Sequence, residues 1–156
     1  MRFTLVKNLK KDRQMSTILI GLLSAILLYL LVDFFVKYFT IGLTPDALKL
    51  SLFGNEEEFV DPMGISSFLE FWHTEIFFIM MILLTLSAIY IRSVSQVKHY
   101  KFTLNLVMSS ALVSLVSLPL AYYVSESFVY LYVFTYFLWH LGAIKMSLRS
   151  LLELYA

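Results

Sequence analysis

Residues 77–91 contain no charged side chain. A helix that is apolar on every side belongs to the middle of a large protein or to a bilayer. Extended back to residue 68, the run makes a helix of roughly 35 Å at about 1.5 Å per residue, against a hydrocarbon layer of about 30 Å. Composition chooses the bilayer: 60% of the chain is hydrophobic and only 15% charged, whereas soluble domains have about half and about a quarter.

The sequence therefore reads as one all-α domain, an integral-membrane four-helix bundle with spans at about 16–40, 68–91, 102–124 and 128–147. The first apolar run is longer than the hydrophobic region of a cleavable signal and lacks a small-x-small cleavage site at its end, so it reads as a retained span. Ten of the twelve Lys and Arg fall in the N-terminal arm, the second connection and the C-terminal end. The positive-inside rule then puts both termini on the cytoplasmic side, with the cell inner membrane as the expected location. The outer loop, residues 41–66, is acidic, with Asp46, Glu56, Glu57, Glu58 and Asp61 against Lys49. Within it, Thr44-Pro45-Asp46 predicts the start of a short surface helix, Gly54 its end, and the apolar residues between them could roof the bundle or lie flat on the membrane. No segment outside the membrane is long enough for a separate catalytic domain, so an enzyme is not the expectation.

Several features carry more local meaning. Gly21 and Ala25 have the small-xxx-small spacing of close helix contacts. Ser110, Ser114 and Ser117 place a narrow hydroxylated face on the third span, a packing stripe in the ordinary case and part of a polar path in the other. Pro119 removes a backbone donor and predicts a kink. His99, between lysines in the second connection, reads as a solvated side chain. Ser125-Glu126-Ser127 is so short a turn that the last two spans must be antiparallel neighbours.

Ionisable groups inside spans are costly, and so they mark candidate sites. Asp33 and Lys37 stand one turn apart, a local ion pair whose Lys stem could snorkel, or else an acid turned inward. Glu70 and His73 form Glu-x-x-His, the spacing that di-metal carboxylate bundles use. With Asp33 and Glu75 they make up the candidate metal set. The motif occurs once, and Ser67 to Glu70 also fits a helix capping box. Glu75 points about 200° away from His73 around the helix. Tyr132, Tyr136 and His140 follow at four-residue steps and, with Ser114, form the candidate polar core or proton path. His73 and His140 differ in depth by something like 15 Å, which argues against one haem bridged by both.

Without cysteine, any metal would rest on His, Asp or Glu. The sequence requires no cofactor and leaves a metal or haem open. Three functions are carried forward. The first is a non-catalytic accessory or assembly component of a larger membrane complex. The second is a small metal- or haem-binding redox bundle at the outer ends of the first two spans. The third is a proton or small-solute conductor. The expected partners are the lipid bilayer and other membrane subunits or a second copy; the basic arm is explained by anionic lipid rather than nucleic acid.

Overall fold

A computed structural model describes residues 13–94 and 100–155. The N-terminal basic arm before residue 13 and His99 lie outside them. The described chain is all helix apart from its connections: α1 (Arg13–Thr40), α2 (Pro45–Phe53), α3 (Ile65–Val94), α4 (Tyr100–Tyr123) and α5 (Phe128–Tyr155). Among the described residues, α1, α3 and α4 are long and apolar enough to cross a membrane. The fourth expected span is the first part of one continuous helix of 28 residues that runs on to Tyr155. Its polar side chains Thr135, His140, Ser147 and Ser150 are all buried.

Helix α5 is the axis of the packing. It touches α1, α3 and α4, and α2 as well. Its closest neighbour is α4, reached through the short turn at 124–127. Here a small residue receives a side chain: a Cβ on Gly142 would run into Cγ2 of Val107, so the Val107 methyl packs where a Cβ would stand. The serine stripe faces this interior. Ser110, Ser114 and Ser117 are buried, and the hydroxyls of Ser110 and Ser117 donate to the carbonyls of Leu106 and Val113 one turn back, which satisfies them without a partner helix. Gly21 and Ala25, by contrast, face outward from α1.

Two apolar clusters fill the inside. The larger joins α1, α3, α4 and α5 through residues such as Leu23, Leu30, Leu86, Trp139 and Met146. The smaller sits under α2, whose Leu48 and Leu52 are buried against Phe68, Leu118, Val129 and Tyr132. The short helix is thus a roof. Its start is the expected one, with Ala47 N–H donating to the Thr44 hydroxyl and Pro45 opening the first turn. At its end Gly54 N–H donates to Leu50 O. Gly42, at φ +78°, turns the chain from α1 into this roof in a conformation that side-chain-bearing residues rarely adopt.

The expected capping box does not form. Helix α3 starts three residues before the expected 68, at Ile65, with Phe68 N–H donating to Gly64 O, so Ser67 lies inside the first turn. The connection before it is fixed from afar: Met63 N–H donates to Leu52 O, and the Tyr122 hydroxyl donates to Met63 O.

Helix α4 continues through Pro119 to Tyr123. The carbonyl that Pro119 leaves without its helical donor is that of Leu115, four residues back. The indole Nε1–H of Trp72 donates to it at 2.9 Å, so the proline frees an acceptor that fastens α3 to α4.

The outer surface of the long helices is apolar, with Leu28, Phe35, Leu84, Val116, Phe134 and Leu141 all exposed. Water would not favour such a distribution of buried polar and exposed apolar side chains; hydrocarbon does.

Candidate functional site

Near the roofed end, α1, α3 and α5 each contribute polar side chains to one buried centre. Lys37 does not snorkel. It is 3% exposed, and its Nζ lies 2.8 Å from both Oε1 and Oε2 of Glu75 on α3. The same Nζ is 3.3 Å from Oδ2 of Asp33, one turn back on α1, and 4.4 Å from the centre of the Tyr136 ring on α5. The ammonium thus has two carboxylates and an aromatic face around it, a set that compensates much of the cost of removing it from water.

Asp33 is the hinge of the centre. Its Oδ2 accepts from the Tyr136 hydroxyl at 3.3 Å and lies 3.8 Å from Nδ1 of His140. On the other side of that imidazole, Nε2 lies 2.8 Å from Leu30 O. A carbonyl can only accept, so Nε2 carries the hydrogen and, in the neutral ring, Nδ1 is left with a lone pair. Nδ1 is buried with no hydrogen-bond partner, and it faces a carboxylate oxygen. Seven residues further on in α5, the Ser147 hydroxyl donates to Leu23 O, seven residues earlier in α1. The two bonds repeat at the same spacing in opposite chain directions and fix the register of α5 against α1.

The predicted residues are thereby separated into two groups. Asp33 and Glu75 come together, through Lys37. Glu70 and His73 lie on α3 but are exposed. Among the described residues, no three His, Asp or Glu side chains stand together as metal ligands. Of the proton-path set, Tyr136 and His140 touch Asp33, while Tyr132 is buried next to Tyr136 with its hydroxyl unpartnered. Ser114 is buried on α4, a helix that contributes nothing to the contacts of Asp33.

The sequence reading placed Lys37 in a local pair and missed its role as the link between α1 and α3. A signal was present, because Lys37 is the only Lys or Arg inside the first two expected spans and both spans hold carboxylates. No signal marks Leu30, which acts through its backbone.

Residues 42–156 match a family described as a transmembrane helical domain. The chain belongs to the Aq_1264_TM family. No curated protein and no solved structure matches it. The Aq_1264_TM match takes in α2 to α5, and with them Glu75, Tyr132, Tyr136 and His140. Asp33 and Lys37 stand before it, on α1. The polar centre is therefore assembled from the Aq_1264_TM domain and the helix that precedes it.

Proposed function

We propose that this small membrane protein holds and releases one proton between Asp33 and His140, as a non-catalytic component of a larger membrane process. In this reading it is a four-span bundle of the inner membrane with both termini cytoplasmic. The supporting observation is the unpartnered Nδ1 of His140, 3.8 Å from Oδ2 of Asp33. With Asp33 and Glu75 ionised, Lys37 compensates only one of two carboxylates, Glu75 buried and Asp33 half-buried, and a charge left uncompensated away from water is costly. A proton on Nδ1, or on Asp33 itself, neutralises the centre and replaces the repulsion of two opposed lone pairs with an attraction across 3.8 Å. The proton belongs to the pair rather than to either residue.

Tyr136 and Tyr132 lead from Asp33 toward the roofed end, and beyond His140 the buried polar side chains of α5 are Ser147, bonded to Leu23 O, and Ser150. Infrared difference spectra of the protein in lipid nanodiscs, recorded across a pH step, test the reading. A reversible band change of the imidazole and of the carboxylate facing it is expected that disappears in both Asp33→Asn and His140→Gln. A wild-type spectrum without such a change would refute it.

A further inference from the structure

At the end of the molecule far from the polar centre, α1 and α3 part. They are joined at the roofed end by the Lys37 to Glu75 bond and by the stacked rings of Tyr29 and Phe78, while α1 otherwise leans mainly on α5. The gap is a groove of about 220 Å³, with Leu19 and Leu22 on one wall, Ala88 and Ile89 on the other, and Arg92 at its mouth. It is smaller than the roughly 300 Å³ at which sites for compact ligands begin, and it opens sideways onto the apolar exterior. Its shape suits part of a hydrocarbon tail.

Arg92 gives the groove a chemical preference. It is exposed, and among the described residues no carboxylate lies within ion-pairing distance of it. Between Glu75 and Glu126 the sequence has no acid at all, and Lys101 at the start of α4 and Lys145 and Arg149 in the last turns of α5 add bases toward the same end. A guanidinium at the last turn of a span stands where lipid headgroups lie, and it binds phosphate in a fork that a zwitterionic headgroup partly occupies with its own cation.

We propose that this groove binds one anionic phospholipid, with a tail between α1 and α3 and the phosphate on Arg92. The site is independent of the proton centre. Native mass spectrometry of the whole chain, released from micelles doped with phosphatidylglycerol or phosphatidylcholine, tests it. The wild type should retain one phosphatidylglycerol in preference to phosphatidylcholine by about fivefold, the effect of one basic residue at a membrane surface. Arg92→Gln should abolish the preference, and Ala88→Phe, which fills the groove from an exposed position, should weaken retention of both lipids. Equal retention of the two by the wild type, a preference that survives Arg92→Gln, or retention untouched by Ala88→Phe would each overturn it.

Discussion

Lys37 shows how one residue can be misjudged from its neighbours in sequence. An i,i+4 pair with Asp33 is what the spacing predicts, and that contact exists at 3.3 Å. The shorter contact, at 2.8 Å, is with Glu75, 38 positions away, and it turns a surface pair into a buried three-charge centre. Removing the ammonium leaves two carboxylates facing each other inside the protein. Lys37→Met is therefore expected to destabilise by about 3–5 kcal/mol, the usual cost of breaking a buried pair from one side. The combination Lys37→Met, Asp33→Asn, Glu75→Gln should recover most of that loss. Unfolding in mixed micelles measures both, and a single variant as stable as the wild type would show that the centre contributes nothing to the attachment of α1.

At the scale of elements, the helices were legible because apolar runs and their flanking charges are local signals; α1, α3 and α4 begin and end close to the expected apolar runs, whereas α5 continues past the expected 147 to Tyr155. What was not legible depended on distant partners. The start of α3 at Ile65 rather than Phe68 follows from bonds that Leu52 and Tyr122 make to Met63, and no capping rule contains them. Pro119 is visible in the sequence, but its consequence needs Trp72 on another helix. That consequence can be measured by a double-mutant cycle. Trp72→Phe should cost about 1 kcal/mol, a typical net hydrogen bond. In a Pro119→Ala background, where the backbone of residue 119 can again donate to Leu115, the same substitution should cost distinctly less. Equal costs in the two backgrounds would mean that the indole does not replace the missing donor.

Over the whole molecule, composition and the apolar runs sufficed for an all-helical membrane protein, and the family match agrees. Neither could show which side chains share the interior, since helix rotation is set by packing. Asp33, Glu75 and His140 are dispersed over more than a hundred positions: the register of α5 against α1, held by the bonds to Leu30 and Leu23, brings His140 to Asp33, and Lys37 on α1 brings in Glu75 from α3. The account rests on a single exchangeable proton in that interior. Nitrogen-15 solid-state NMR of His140 in bilayers observes it directly: Nε2 should remain protonated throughout a titration while Nδ1 changes between a bare and a protonated nitrogen. A bare Nε2, or an Nδ1 that never changes state, would contradict it.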